Sequence, residues 1–166
     1  MKRLCILTLL LFVLSFCKES KAPNRLKYDY KINENQPPTI NNIIEFAKQI
    51  GIIAPTNFIR IAIKESGHFK SYKWKKYNNF TGMKFAKQRK TFAIGKMDDN
   101  SAIYETWQDC VKDYKLWEDQ NIKFPPIKYQ EKKEYYLHKL DQIYNDTGYS
   151  NTLKYIKLRN VNILLK

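Results

Sequence analysis

The chain is poor in cysteine and histidine, with 3 Cys and 2 His among 166 residues. Two of the cysteines, Cys5 and Cys17, lie near the N-terminus, so Cys110 has no partner for an internal disulfide in the rest of the chain. His68 and His138 are far apart and show no paired ligand spacing, which argues against a zinc site. We therefore expect no metal and no other cofactor.

Residues 1–17 have the features of an export signal. Lys2 and Arg3 precede a run of about a dozen apolar residues, which is shorter than the roughly 20 residues of a membrane-spanning helix. Residues 14–17, Leu-Ser-Phe-Cys, resemble a lipobox in which Cys17 would receive a lipid, although phenylalanine replaces the usual small residue. Plain secretion after cleavage at Ala22 and an uncleaved anchor are the alternatives. We expect an exported protein of the cell envelope, lipid-anchored to the membrane.

Positive charge dominates the chain, with 30 Lys and Arg against 16 Asp and Glu and a formal net charge of +14. Such a surface attracts polyanions, and nucleic acid is one of them. An exported protein, however, meets anionic cell-wall polymers and lipid head groups first. We therefore expect no nucleic-acid partner, and the charge by itself does not select a function.

A polar, proline-containing segment at residues 18–38 shows no helical period and predicts a flexible tether. From Thr39 onward, apolar residues recur at helical spacing. A chain of this length has room for one compact core, so we assign residues 39–166 to a single domain.

The apolar pattern of that domain predicts a mainly α (α+β) fold. Thr39 suits the N-cap of a first helix, and Pro55 suits the first turn of a second helix. Short apolar runs flank the turn-prone GKMDDN within residues 84–104, which predicts a small β-hairpin lobe. The predicted helices span residues 40–50, 55–66, 71–77, 105–120, 129–144 and 150–164.

Glu65 is the candidate acid of this sequence. It follows an apolar stripe of Phe, Ile and Ala and therefore lies at the last turn of a buried helix. Glycoside hydrolysis needs a protonated carboxylic acid beside the leaving oxygen, and a low-dielectric setting favours that form. On spacing alone, a solvated glutamate at a helix end is the simpler interpretation.

Three blocks of the sequence resemble a known family. The first, IAIKESGHFKSYKWKKYNNFTGMK, places Glu-Ser-Gly at residues 65–67 and NNFTGMK at residues 78–84. The second joins RKTFAIG to AIYETWQDCVKDYKLW, and the third is GYSNTLKYIKLRNV. In this order they are similar to the glucosaminidase superfamily, glycoside hydrolase family 73, with Thr81 in place of the usual aromatic residue.

The resemblance implies a lysozyme-like fold and hydrolysis of the β-1,4 bond after N-acetylglucosamine in peptidoglycan. Glu65 matches the family's general acid. Tyr149 matches a tyrosine of the catalytic cleft, whose phenol would bind the substrate's acetamido group or hold the attacking water; a packing role at a helix start is the alternative. The other substrate-binding residues that we infer are Asn79, Phe80, Gly82, Lys84, Tyr104 and Asp98.

The second catalytic group stays open. Many family members place a second Glu in the β lobe, where this chain has only Asp98 and Asp99, and these are more simply turn residues. If neither reaches the cleft, a water held by neutral groups or the substrate's own acetamido oxygen must take the role. The stereochemical outcome is open for the same reason.

Several other side chains have a structural interpretation beside the functional one. Asn78 and Asn79 could satisfy backbone groups in a turn as well as contact sugar. Cys110 is expected to be a small buried core residue rather than a nucleophile. Tryptophans at helical spacing are more often core than sugar platforms, and this applies to Trp74, Trp107 and Trp117.

These observations favour a cell-wall glycosidase that acts on peptidoglycan as a monomer. Two alternatives share its fold: an inactive or weakly active peptidoglycan-binding module, and a muramidase-type lysozyme. The missing second Glu motivates the first of these alternatives.

Overall fold

The computed structural model describes residues 36–123, 129–144, 148–158 and 165; the predicted signal and the tether up to residue 35 lie outside them. Within these ranges the mainly α fold with a small hairpin lobe confirms the sequence prediction. Its elements are α1 (Ile40–Gln49), α2 (Pro55–Glu65), α3 (Tyr72–Tyr77), β1 (Gly95–Lys96), β2 (Ala102–Ile103), α4 (Trp107–Asn121), α5 (Tyr129–Ile143) and α6 (Tyr149–Tyr155).

The first two helices begin where the sequence predicts. The Thr39 hydroxyl accepts a hydrogen bond of 3.1 Å from the Asn42 amide and so caps α1. Pro55 occupies the first turn of α2, where its missing N–H leaves no helical bond unmade. Both helices turn a face of isoleucine, phenylalanine and alanine into the core.

Helices α1 and α2 pack against each other, α1 also packs against α4, and α6 packs on both α2 and α5. Aromatic side chains fill the junctions. Phe46 meets Trp107 edge-on at 5.4 Å between ring centroids, and Phe58 lies 4.7 Å from Tyr114. Because α2 runs through the middle of this core, its C-terminal end has a fixed position.

The regular strands of the hairpin lobe occupy only a small part of the segment 84–104 in which we predicted the lobe. Strands β1 and β2 are antiparallel, with Gly95 opposite Ile103 and Lys96 opposite Ala102. A single bridge between Lys84 and Ser101 adds the segment after α3 to the lobe. The lobe therefore begins directly after Gly82, and this places residues 83–85 beside the end of α2.

The last helix is shorter than predicted. We expected it to reach residue 164, but α6 ends at Tyr155 and Ile156 has extended backbone dihedrals. The carbonyl of Ile156 instead accepts a hydrogen bond from the Arg60 side chain at 3.3 Å, which draws the chain onto α2. Among the described residues, no helix is long and apolar enough to cross a membrane.

The last residues of the predicted tether are held on the domain rather than free of it. The Gln36 carbonyl accepts a hydrogen bond of 3.0 Å from the Trp107 indole, and the Pro38 carbonyl accepts one of 3.0 Å from the Leu165 amide. Residues 36–38 therefore belong to the folded domain rather than to the tether.

Candidate active site

A groove of about 510 Å³ lies between the end of α2, the start of the hairpin lobe, α4 and the end of α5. Both polar and apolar side chains line it, as expected for a site that binds an oligosaccharide. The lining residues are Glu65, Thr81, Gly82, Met83, Lys84, Phe85, Ala86, Lys87, Gln88, Arg89, Trp117, Gln120, Ile143 and Tyr144.

Glu65 is the last residue of α2 and opens into this groove. Its helix is buried, as predicted, but the Glu65 side chain itself is exposed, so water reaches the carboxyl in the free protein. The low-dielectric setting expected from the sequence is therefore not supplied by the protein alone. A bound glycan that fills the groove would displace this water.

The Glu-Ser-Gly sequence explains why α2 ends at this point. The Ser66 hydroxyl is buried and accepts a hydrogen bond of 2.8 Å from the Phe69 amide, which closes a tight turn. Gly67, His68 and Phe69 have φ values of 56°, 58° and 59°, in the left-handed region that ends helices. The turn reverses the chain and leaves Glu65 at the rim of the groove.

Gly82 lies directly against the Glu65 carboxyl. It has a φ of +69°, and a Cβ at this position would lie 3.1 Å from Glu65 Oε2. Glycine is therefore required here both by the backbone conformation and by the space that the carboxyl occupies. Gly82, for which we predicted a substrate contact, lies in the groove lining, and its lack of a side chain leaves room for the acid.

Tyr149 holds the other oxygen of the carboxyl. Its hydroxyl donates a hydrogen bond of 2.8 Å to Glu65 Oε1, and its side chain is buried. Burial first, and then the neighbouring Tyr144 and Glu65, raise the pKa of Tyr149 well above its ordinary value. The phenol therefore stays a proton donor to Glu65 at neutral pH.

Tyr149 is packed on its ring faces as well. The ring of Tyr144 stacks on it at 4.1 Å between centroids with an interplanar angle of 3°. The ammonium of Lys64 lies 3.5 Å from the centroid of the same ring. These contacts fix the phenol, so the direction of its hydrogen bond to Glu65 is fixed too.

Tyr144 is the site residue that sequence reasoning missed. It follows the end of α5, is half-buried, and lines the groove. Burial raises its pKa to about 12, with the Glu65 charge as a further cause. Its spacing of four from Leu140 and eight from Tyr136, both buried, is the signal that could have placed it on the inner face of α5.

Asn78 and Asn79 take the structural role that the sequence left open. Asn78, in the left-handed cap of α3, donates to the Glu105 carbonyl at 2.8 Å. Asn79 is buried and donates to the carbonyls of Met83 and Ala102 at 2.9 and 2.8 Å. The pair ties α3 to the hairpin lobe, so the direct sugar contact expected of Asn79 is corrected to a supporting role.

Phe80 and Tyr104 are also absent from the groove. Phe80 is fully buried and lies edge-on to Trp74 at 5.1 Å. Tyr104 is buried, and its hydroxyl donates to Asp113 at 2.8 Å. The expected sugar contacts of both are corrected, because neither ring is accessible to a ligand in the groove.

Asp113 fixes the position of residues 89–92, a segment that begins with Arg89 of the groove lining. Its buried carboxylate accepts two hydrogen bonds from the Arg89 guanidinium, at 2.8 and 3.0 Å, and one from the Phe92 amide at 3.1 Å. With the bond from Tyr104, four donors satisfy the buried charge. The network fastens residues 89–92 to α4.

Of the remaining predicted contacts, Lys84 lines the groove and Asp98 does not. The Lys84 ammonium donates to the Asp99 carbonyl at 2.9 Å. Asp99 forms an ion pair with Lys73 at 2.7 Å, and the hydrogen bond from Lys73 is the first cause that holds its pKa well below the usual range. Both aspartates therefore lie in the turn of the hairpin, which was the simpler interpretation of the sequence.

The tryptophans divide between core and groove. Trp74 and Trp107 are buried, whereas Trp117 is half-buried and lines the groove. Cys110 is fully buried, and burial raises the pKa of its thiol to about 12, which confirms the predicted core role. No group of three His, Cys, Asp or Glu side chains in the described ranges is placed to hold a metal ion.

A carboxylic acid at a helix end, facing a groove on a mainly α fold with a hairpin lobe, is typical of lysozyme-like glycoside hydrolases. A family model described as "Glucosaminidase: Mannosyl-glycoprotein endo-beta-N-acetylglucosaminidase" matches residues 40–161. The chain belongs to this glucosaminidase family, whose substrate is peptidoglycan. No curated protein and no solved structure matches the chain.

Proposed function

We propose that the protein hydrolyses the β-1,4 bond after N-acetylglucosamine inside peptidoglycan glycan strands, with Glu65 as the general acid. The observation that carries this proposal is the asymmetric setting of the Glu65 carboxyl. Oε1 accepts the hydrogen bond of Tyr149, whereas Oε2 lies against Gly82, a residue of the groove lining. Among the described residues, no donor reaches Oε2.

This asymmetry assigns the two oxygens different tasks. The phenol of Tyr149 fixes the orientation of the carboxyl through Oε1, so Oε2 carries the proton toward the groove. A sugar bound there excludes water from the carboxyl, and exclusion of water favours the neutral form of a carboxylic acid. The proton on Oε2 then passes to the glycosidic oxygen as the bond breaks.

The groove supplies a single carboxylate among the described residues, that of Glu65. We therefore assign the nucleophile to the substrate's own acetamido oxygen, which forms a bond to C1 as the bond from C1 to the leaving oxygen breaks. Water then attacks C1, gives its proton to the Glu65 carboxylate and releases the acetamido oxygen. The anomeric configuration is retained over the two steps.

Two product measurements test this function. Mass spectrometry of fragments released from purified peptidoglycan should find N-acetylglucosamine at the new reducing end; muramic acid there would identify a muramidase instead. Proton nuclear magnetic resonance during the first turnovers should show the β anomer. An initial α anomer would require an activated water and would overturn the acetamido step, but not the general-acid role.

The N-terminal segment supports a proposal about location. We assign export to residues 1–17 and a lipid anchor to Cys17, on the lipobox-like sequence described above. The protein would then act as a monomer at the membrane face of the cell wall. Metabolic labelling with a fatty-acid analogue should mark the wild-type protein and not the Cys17→Ser variant; label on both would contradict the anchor at Cys17.

A further inference from the structure

Positive charge in the groove comes from one segment of the chain. That segment, at the start of the hairpin lobe, contributes three cations and no acidic side chain to the lining: Lys84, Lys87 and Arg89. The lining residues from α4 and the end of α5 are uncharged, namely Trp117, Gln120, Ile143 and Tyr144. Glu65 is the single acidic residue of the lining that the structure describes, and the proposed reaction uses it. The groove therefore has an excess of positive charge on the side of the lobe.

Two of these three cations already have partners in the protein. The Arg89 guanidinium donates two hydrogen bonds to the Asp113 carboxylate, at 2.8 and 3.0 Å, so its charge is neutralised. The Lys84 ammonium donates to the Asp99 carbonyl at 2.9 Å and lies 3.6 Å from the Asp99 carboxylate. Both side chains are thus held by the folded domain itself.

Lys87 differs from both. It is exposed and lines the groove, and among the described residues no carboxylate, carbonyl or aromatic ring pairs with its ammonium. An ammonium has three N–H donors and no acceptor. All three donors of Lys87 are therefore available to an anionic group of a ligand in the groove.

The negative charges of a peptidoglycan strand lie on every second sugar. N-acetylglucosamine is neutral, whereas N-acetylmuramic acid carries a lactyl ether on O3. The lactyl group ends in a carboxylate, or it is amide-linked to a peptide that brings carboxylates of its own. We call the lactyl group, with any peptide attached to it, the lactyl arm.

The proposed cleavage places one such arm beside Glu65. In the bond after N-acetylglucosamine, the leaving oxygen is O4 of a muramic acid, and the lactyl arm starts at the adjacent O3. When O4 accepts the proton of Glu65, the arm therefore starts in the groove that Lys87 also lines. An acidic arm there meets a cation whose donors are unused.

We propose that Lys87 binds a carboxylate of the lactyl arm on the leaving-side muramic acid. The contact makes anionic arms a feature that the groove recognises in its substrate. It forms in the bound substrate and persists in the transition state, so it acts on KM rather than on kcat. This inference rests on the proposed function, because cleavage after N-acetylglucosamine is what brings the arm to the groove.

The test uses tetrasaccharides that alternate the two sugars and begin with muramic acid, since this order holds a single bond after N-acetylglucosamine. On the leaving-side muramic acid, one matched pair carries the bare lactyl group as a carboxylate or as an amide. A second pair carries a peptide whose carboxylates are free or amidated. Lys87→Gln is compared with the wild type and with Lys90→Gln, which removes the same charge from an exposed lysine outside the groove lining.

We expect Lys87→Gln to raise KM about three- to tenfold on a carboxylate substrate, with kcat and Tm unchanged, because an ion pair open to water contributes little more. The pair of substrates that shows the rise identifies the lactyl or the peptide carboxylate as the ligand. On the amides, Lys87→Gln and the wild type should have the same KM. Lys90→Gln should match the wild type on all four substrates.

Three results would overturn the contact. The first is an unchanged KM of Lys87→Gln on both carboxylate substrates. The second is an equal rise on carboxylates and amides, which would mean that Lys87 only shapes the groove. The third is an equal rise in Lys90→Gln, which would assign the attraction to the positive surface in general.

A second measurement covers the case in which Lys87→Gln fails to fold. The wild type alone should have a KM about three- to tenfold lower on a carboxylate substrate than on its amide. Equal KM values within both pairs overturn the contact and leave the proposed function intact. Cleavage of neither the tetrasaccharides nor peptidoglycan by the wild type overturns the proposed function itself.

Discussion

A side chain at position 82 and the carboxylate of Glu65 would compete for the same space, since the Cβ position of Gly82 lies 3.1 Å from Glu65 Oε2. The added methyl of Gly82→Ala must therefore displace the acid. It must also adopt a φ of +69°, which strains an alanine by about 1–2 kcal/mol. We expect Gly82→Ala to lose at least about tenfold in kcat and to have a moderately lower Tm.

Gly67→Ala separates the two effects of that substitution. Gly67 has a φ of +56°, but its Cβ position has no atom within 4 Å, so this variant carries the strain without the collision. It should lose stability to a similar extent and retain more activity than Gly82→Ala. Equal activity of the two variants in a peptidoglycan-release assay would show that Glu65 is not displaced.

The network around Asp113 is predicted to support the groove wall. Asp113→Asn removes the charge partner of the half-buried Arg89, and breaking such a pair costs about 3–5 kcal/mol. Urea unfolding should show this loss, and activity should fall as residues 89–92 detach from α4. Asp119→Asn is the control, because Asp119 is exposed on the same helix and pairs with Lys115 at 2.6 Å. Equal effects of the two substitutions would contradict the role of Asp113.

The hairpin aspartates are predicted to be dispensable for the reaction. Neither Asp98 nor Asp99 lines the groove, and Asp99 is held by Lys73. Asp98→Asn should leave kcat, KM and Tm unchanged, whereas Asp99→Asn should lower Tm slightly by loosening the hairpin turn. A loss of kcat in Asp98→Asn at constant Tm would restore it as a catalytic base.

Glu118 predicts a pH dependence of stability. It is fully buried and accepts hydrogen bonds from the Ile53 amide at 3.2 and 3.3 Å and from Lys115 at 3.3 Å. Burial raises its pKa from 4.5 to about 7, against the opposing effect of Lys115. Between these two pH values the folded protein holds a proton that the unfolded chain has released, so stability falls as pH rises from 4.5 to 7.

Glu118→Gln should remove this dependence. The shift corresponds to roughly 3 kcal/mol at most, and the amide oxygen of glutamine can still accept from Ile53. Urea unfolding at pH 5 and pH 8 should show a drop in the wild type's free energy of unfolding that is smaller in the variant. An equal drop in both proteins would assign the pH dependence to other groups.

The periodic parts of the fold could be predicted from sequence, and the parts made by distant contacts could not. Thr39 and Pro55 are local sequence signals for the start of a helix, so the starts of α1 and α2 could be predicted correctly. The end of α6 depends on Arg60, which lies 96 residues away from the carbonyl that it binds. Sequence spacing contains no signal for such a contact.

The site divides in the same way. The position of Glu65 at a helix end follows from the apolar stripe before it and the Gly67 that ends the helix. Which side chains face the groove depends on how the hairpin lobe packs against the helices. In the folded domain, Asn79, Phe80 and Tyr104 are buried and do not face the groove. Tyr144 reaches the groove because α5 and α6 pack together; its spacing from Leu140 indicates the inner face of α5, but not the groove.

In the proposed reaction, Glu65 supplies the proton that breaks the glycosidic bond. Zymography and turbidity assays on purified peptidoglycan should compare the wild type, Glu65→Gln and the control Glu45→Gln, an exposed position on α1. We predict clearing by the wild type and Glu45→Gln, and a loss of at least about 100-fold in Glu65→Gln with an unchanged Tm. Clearing by Glu65→Gln at the wild-type rate would mean that Glu65 is not the general acid.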